Sequence, residues 1–403
     1  MLRPGSKRNA LELLPGTLIP GLAAVFGFIL VGRVAGTLTL GLFSLAWVTS
    51  NAGSSVLAEG PANAALRALT TGDPGSVRGL RWIVWKRALI GCLILVGIGA
   101  VLARAGSAFG APIAYSGPWT ASQTLVLFEA QVFKAESRFG RASSLTAVRA
   151  LLGWAASVGG ATASHSVGAA VLPNAAVSLV VVALIGSLKT QRPDERTRDA
   201  VRTIGRPVTL LLLAMYLLGY GDRYVIEGIL GPVAVGVYTL GYQLGEGGIE
   251  LFSGPVTNAL IPRIISEWND PRQGPRLAVK TAERGALAHV VVGILAVPAI
   301  VVASWLGVFE LVSPHHRIAT VAAIVAVAVA IQGISRLSTG LLLAQGRPER
   351  ALPWTGVVIL VSAVTVPVLT VTEGIVGAAV ATLIGYAALA GLLAREALRG
   401  TRR

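Results

Sequence analysis

Twelve times along this chain the residues turn almost wholly apolar for about 18 to 25 positions. Each run is close to the ~20 residues an α-helix needs to cross a bilayer core. Backbone groups in hydrocarbon find no water, so only helices or a closed barrel can span it. The runs are continuous and show no period-2 alternation, which selects helices. The rest of the composition agrees: 54% of residues are hydrophobic and 13% charged, against roughly 25% charged in a soluble domain. The expected fold is all-α, a polytopic membrane protein of about twelve transmembrane helices.

The expected spans are 13–32, 40–62, 83–103, 117–136, 147–164, 167–188, 206–223, 235–258, 284–307, 317–342, 353–371 and 374–395. No small-residue cleavage site follows the first run, so the N-terminus is read as mature sequence. With both ends in the cytoplasm, 29 of the 34 Lys and Arg fall on the cytoplasmic side. Arg33, Arg104, Arg223 and Arg317 fall outside, and Arg336 lies within a span. The positive-inside rule therefore favours this orientation and an even span count. The net charge of +15 is strung between apolar runs and forms no compact basic patch, so nucleic acid is not an expected partner. The one cysteine, Cys92, sits in an apolar run, where packing is its expected role. His165, His289, His315 and His316 form no spaced ligand set, and no metal site is expected.

The charged stretch from Leu188 to Arg206 separates six spans from six. The organisation read from this is an N-lobe at 1–188, a cytoplasmic linker at 189–206 and a C-lobe at 207–403, related as a parallel repeat about an axis along the membrane normal. A repeat is visible in the residues. Gly36, Gly41, Phe43 and Leu45 reappear as Gly231, Gly236, Tyr238 and Leu240, a constant offset of 195. Both stretches link the first two spans of a half, where glycine suits a tight turn and an aromatic ring suits the interface.

Three stretches carry a family resemblance. Arg33 to Phe43 resembles an R-x-L-G-x4-G-x-[YF] turn with Val34 and Ala35 in place of the usual pair. Asp222-Arg223-Tyr224-Val225-Ile226 with Gly231-Pro232 and Gly236-Val237-Tyr238, continuing to Pro262, is similar to D-R-x-x-I…G-P-x-x-x-G-x-Y. Gly346-Arg347-Pro348 and the run Gly374 to Thr382 resemble the family's G-I-x-G-A-A-x-A-T segment. The chain is thus similar to the multidrug/oligosaccharidyl-lipid/polysaccharide (MOP) exporter superfamily, in its polysaccharide-flippase branch. The resemblance implies two six-helix lobes around a central cavity, alternating access, and a polyprenyl-pyrophosphate-linked oligosaccharide flipped from the cytoplasmic to the outer leaflet. It also implies a bacterial or archaeal cytoplasmic membrane, a monomer among membrane lipids, association with polysaccharide polymerase machinery, and no cofactor beyond proton or sodium coupling. Lipid II flippases of the superfamily carry arginines in the first span; residues 13–32 hold none, which argues against that cargo.

Polar groups inside spans are the natural site candidates, because charge in lipid costs ~2.5 to 3.5 kcal/mol on insertion scales. Tyr242, Glu246 and Glu250 follow one face of the eighth span, with Asn258 further along. Asn51, Ser55, Glu59 and Asn63 make a stripe in the second, and the repeat offset maps Asn51 to Glu246 and Ser55 to Glu250. These groups either glue helices together or line a hydrated cavity with an ion-responsive carboxylate. Arg336, four residues from Gln332, is the most deeply placed arginine of this reading; its fork suits a pyrophosphate, or it pairs with Glu246 or Glu250. Glu129 is placed to neutralise Lys134, Arg138 or Arg149. Arg33 and Arg223, at the outer ends of spans one and seven, are interfacial anchors or, with Asp222, outer-gate contacts.

Two other classes compete. A membrane glycosyltransferase or ligase needs catalytic carboxylates at one face, yet the Arg104 to Ser116 connection has no acidic residue; no P-loop occurs, so nucleotide-driven transport would require another subunit. A cation-coupled drug or metabolite antiporter of the same superfamily is the nearer alternative, with Glu246 or Glu250 as its coupling group.

Overall fold

The computed structural model describes residues 7–70, 75–186, 189–202, 206–268, 270, 274–306 and 317–399. His315 and His316 lie outside these residues. Twelve α-helices account for nearly all of the described chain: α1 (Lys7–Thr70), α2 (Gly75–Arg104), α3 (Gly110–Ala135), α4 (Phe139–Ser164), α5 (Val167–Ile185), α6 (Glu195–Ala200), α7 (Arg206–Tyr220), α8 (Asp222–Leu230), α9 (Pro232–Trp268), α10 (Gly274–Trp305), α11 (Arg317–Ala344) and α12 (Ala351–Arg399). The protein is an all-α, multi-pass membrane protein.

Six helices are long and apolar enough to cross a membrane by length and composition alone, and two of them, the 51 residues of Pro15–Ala65 and the 49 of Ala351–Arg399, are long enough for two crossings. Each is broken by a glycine with positive φ: Gly36 in α1 at φ 82°, ψ 168°, and Gly374 in α12 at φ 65°, ψ −143°. Such conformations are open essentially to glycine. In α1 the two arms lie side by side, for the Phe28 and Trp47 rings are 5.2 Å apart, whereas 19 residues of straight helix would separate them by about 28 Å. In α12 a Cβ on Gly377 would fall 1.9 Å from the Leu369 carbonyl oxygen. With both helices folded back, twelve crossing segments result, α7 and α8 together making the seventh.

By contacts the chain divides into two compact units, Met1–Leu213 and Ala214–Arg403. In the first, α1 packs on α3 and α4, α2 on α3, and α4 on α5. Small residues let backbones approach: a Cβ on Gly99 would meet the Ala114 nitrogen at 2.3 Å, and one on Gly110 the Ala103 nitrogen at 2.3 Å, the close packing that helices in lipid rely on. In the second unit, α9, α10 and α12 pack on α11, and α8 on α12. Large apolar side chains left exposed, such as Leu89 and Leu93 on α2, Ile294 and Leu295 on α10, and Leu360 and Val364 on α12, are the lipid-facing surface.

The α8–α9 junction repeats the α1 kink. Gly231 sits at φ 82°, ψ 174°, within a few degrees of Gly36. The repeat read from the residues is therefore a repeat of backbone conformation.

Candidate functional site

The second unit holds a connected set of polar side chains inside its helices. It starts where α7 ends. Span seven, expected to end at Arg223, does not stop there: Gly221 keeps helical angles (φ −65°, ψ −25°) between α7 and α8, and the helical path runs on to Leu230. Asp222 and Arg223 thus lie eight or nine residues before the Gly231 turn, about 12 Å of helix, and are interior residues. Arg223 is fully buried, so it is no interfacial anchor. Its guanidinium carbon lies 4.2 Å from the Tyr242 ring centroid, 5.0 Å from Tyr220 and 5.7 Å from Tyr238. Its Nη1 is 3.4 Å from Asp222 Oδ1, while Nε and Nη2 have no conventional hydrogen-bond acceptor. The three rings surround the guanidinium that these nitrogens belong to, and cation–π attraction of ~2 kcal/mol or more when desolvated offsets part of its burial.

Asp222 is the anchor of this cage. Its Oδ2 accepts from the hydroxyls of Tyr238 on α9 and Thr382 on α12. Tyr242 donates to the Gly219 carbonyl at 3.1 Å and meets the Tyr386 hydroxyl at 3.5 Å. A Cβ at Gly219 would sit 2.9 Å from that hydroxyl, so the ring tip would have to shift to admit one. Tyr220 donates to Glu246 at 3.0 Å. One turn on, Glu250 Oε1 lies 2.5 Å from Arg336 Nη1, but the oxygen accepts no well-directed hydrogen bond. The pair is a Coulombic contact, with side chains 32% and 29% exposed. Arg336 Nη2 donates to Gln332 Oε1 at 3.1 Å. Of the two arginines in this set, Arg223 is sealed and Arg336 is partly accessible.

Chemically, the set offers one sealed cation, one exchangeable cation, two carboxylates a turn apart and several tyrosine faces.

Residues 80–309, more than half of the chain, match the family described as polysaccharide biosynthesis protein. The chain belongs to that family. No curated protein matches it. Among solved structures, it is similar to an inward-facing multidrug resistance MATE family transporter of the MOP superfamily, at 15% identity, covering 100% of this chain and 96% of that one, with a TM-score of 0.66. A MOP superfamily transporter from Pyrococcus furiosus, described by the reversed polarity of its binding pocket, gives 13%, 98% and 95%, and 0.66. A Vibrio cholerae MATE transporter gives 18%, 97% and 96%, and 0.65. The fold is that of the MOP superfamily.

In this member of the polysaccharide biosynthesis family the first unit uses the same frame differently. At the repeat offset, Arg223, Tyr238 and Tyr242 correspond to Phe28, Phe43 and Trp47. Phe28 is likewise fully buried, 5.6 Å from Phe43 and 5.2 Å from Trp47. An apolar aromatic cluster there becomes a caged arginine in the second unit.

Asn51 Oδ1 accepts from Gln123 at 3.4 Å, and Ser55 is buried. Glu129 does not neutralise Arg138 or Arg149. It holds Arg81 in a fork, at 2.5 and 3.1 Å, while Arg138 pairs with Glu136 and Arg149 donates to Ser178 and Asn174. Arg33 is exposed beside the Gly36 turn. The side chain of Asn258 lies outside those described. Sequence reasoning did not single out Tyr220, Thr382, Tyr386 or Arg81. Thr382 closes a motif quoted for the resemblance, which was the available signal; Arg81 read as one more loop cation.

Proposed function

We propose that this protein is a transporter, not an enzyme, and that it flips a polyprenyl-pyrophosphate-linked oligosaccharide from the cytoplasmic to the outer leaflet by alternating access. The observation that carries this reading is the Arg336–Glu250 pair in a polysaccharide biosynthesis family member. A third-exposed arginine, held by Glu250 and by one hydrogen bond to Gln332, can exchange its carboxylate for a phosphate oxygen, and guanidinium–phosphate bonding is bidentate and charge-assisted. Glu250, released a turn from Glu246, then takes up a proton or sodium ion; return of the pair expels the cargo. Gln332 and the tyrosines offer hydrogen bonds and ring faces to sugars. The excess of Lys and Arg on one side supports a cytoplasmic location for both termini. Asp222 and Arg223 brace the helices that carry the exchange.

A drug or metabolite antiporter is the second reading. It is favoured by the paired carboxylates and by the multidrug names of similar structures. Binding of lipid-linked oligosaccharide and of a cationic drug to the purified protein separates the two. Arg336→Ala is expected to weaken glycan binding by roughly one to two decades, the loss of a charge-assisted hydrogen bond of about 1.5 to 3 kcal/mol, and Arg336→Lys to restore part of it. Drug binding that depends on Glu246 and Glu250, with no glycan binding, would overturn the flippase reading.

A further inference from the structure

The first unit contains a second cationic feature, remote in sequence from the cluster just described. A cavity of 410 Å³ is lined by Leu69, Val77, Arg78, Arg81, Phe133, Glu136, Arg138, Arg141, Ile185, Gly186 and Lys189. Five cations face one carboxylate. Arg81 is 93% buried and fixed by Glu129, and Arg138 is tied to Glu136 and lies over Phe133 at 5.3 Å. Arg78, Arg141 and Lys189 complete the exposed rim. Glu129 and Glu136 offset two of the five, and the repulsion among the remaining three cations favours an anion at the centre.

Depth says which anion. On α2 the exposed apolar band starts at Trp85 and runs through Leu89, Leu93 and Val101. Arg81 lies about 6 Å of helix before it. On α4 the band starts at Val148, about 10 Å beyond Arg141. Lys86 sits over the Trp82 ring at 5.3 Å, a pairing suited to the interface. The cavity therefore opens at headgroup level. Its floor is apolar, since Val77 and Phe133 belong to the buried core of α2, α3 and α5 and Ile185 packs against it. Basic pockets between helices at this depth suit anionic lipid headgroups.

The linker takes part as well. Gln191 donates its amide to the Arg78 carbonyl at 3.2 Å. Pro193 and Thr197 lie so close to Gly79 that a Cβ there would be 3.1 Å from the Pro193 Cα. Lys189 is thereby held at the rim.

We propose that this cavity is a phosphate-binding site for the headgroup of an anionic membrane lipid, formed by Arg78, Arg81, Arg141 and Lys189. It stands apart from the Arg336 exchange, and its failure leaves the flippase reading intact. The full chain, in nanodiscs of phosphatidylcholine with or without phosphatidylglycerol, is assayed by native mass spectrometry for retained lipid. A parallel titration uses inorganic pyrophosphate in detergent. The variant Arg78→Gln, Arg141→Gln, Lys189→Gln changes exposed side chains only. Its control, Arg276→Gln, Lys280→Gln, Arg284→Gln, removes the same charge from exposed positions on α10. Retention of phosphatidylglycerol that falls roughly tenfold or more in the first variant alone supports the lipid site. Pyrophosphate binding with the same variant dependence but no lipid retention overturns the lipid assignment in favour of a soluble phosphate. Equal losses in both variants, or no loss in either, overturn the site altogether.

Discussion

Thr382 Oγ1 donates a 3.0 Å hydrogen bond to Oδ2 of Asp222 across 160 residues of chain. Tyr238 donates to the same oxygen, and Arg223 lies against the other. Two stretches whose residues suggested the superfamily, one in α8 and α9 and one in α12, thus meet at a single carboxylate. Asp222→Ala leaves Arg223 as a buried cation without its counter-ion, a change that costs about 3 to 5 kcal/mol. The expected outcome is a large fall in thermal midpoint and poor yield. Thr382→Val removes one bond to a charged acceptor, about 1.5 to 3 kcal/mol, and should fall between Asp222→Ala and wild type. A Thr382→Val protein less stable than Asp222→Ala would contradict this account of the anchor.

Two of the arginine–glutamate ion pairs, Arg81–Glu129 and Arg336–Glu250, should differ in how much stability their loss costs. Glu129→Gln strips the partner from buried Arg81, with an expected loss of about 3 to 5 kcal/mol. Glu250→Gln breaks a partly exposed pair and should cost about 1 kcal/mol or less, while transport falls. Thermal unfolding of both variants, with transport measured beside it, checks the contrast.

Gly36 and Gly231 hold nearly the same backbone conformation at φ 82°. Alanine at either is expected to destabilise by about 1 to 3 kcal/mol, although a Cβ would have open space around it. Gly228→Ala, in helical conformation with equal space, should be neutral or stabilising by up to ~1 kcal/mol. Equal behaviour of Gly228→Ala and Gly231→Ala in a melting experiment would rule out backbone strain as the cause.

Orientation is open to labelling. In a Cys92→Ser background, a cysteine at Arg198, which is exposed in the linker, should react with a membrane-impermeant reagent only after permeabilisation. One at Val233, 45% exposed in the turn after α8, should react in intact cells. The reverse pattern would invert the topology.

The fold was legible in the residues because lipid leaves so few options. Run length and the absence of alternation were enough for helices, and the glycine offset of 195 located a turn that is repeated in backbone angles. The site was legible only in part. Glu246, Glu250 and Arg336 stand out because charge inside an apolar run is costly. The continuation of span seven past Gly221 to Leu230 was not legible, since residues 206–223 already make a run of span length, and it is this continuation that turns Arg223 from an end residue into an interior one. Arg81 was missed for a related reason: its partner Glu129 lies 48 residues away on another helix, and no spacing rule reaches that far.

If Arg336 exchanges Glu250 for the phosphate of a pyrophosphate-linked glycan, transfer of that glycan between leaflets depends on its guanidinium. The most direct test is a flipping assay in proteoliposomes, with a fluorescent polyprenyl-pyrophosphate oligosaccharide and leaflet-selective quenching. Wild-type protein is expected to accelerate transfer between leaflets, Arg336→Ala to slow it about ten- to a hundredfold, and Arg336→Lys to lie between them. Transfer at the protein-free rate by a folded wild-type protein, or an Arg336→Ala protein as fast as wild type, would contradict the account.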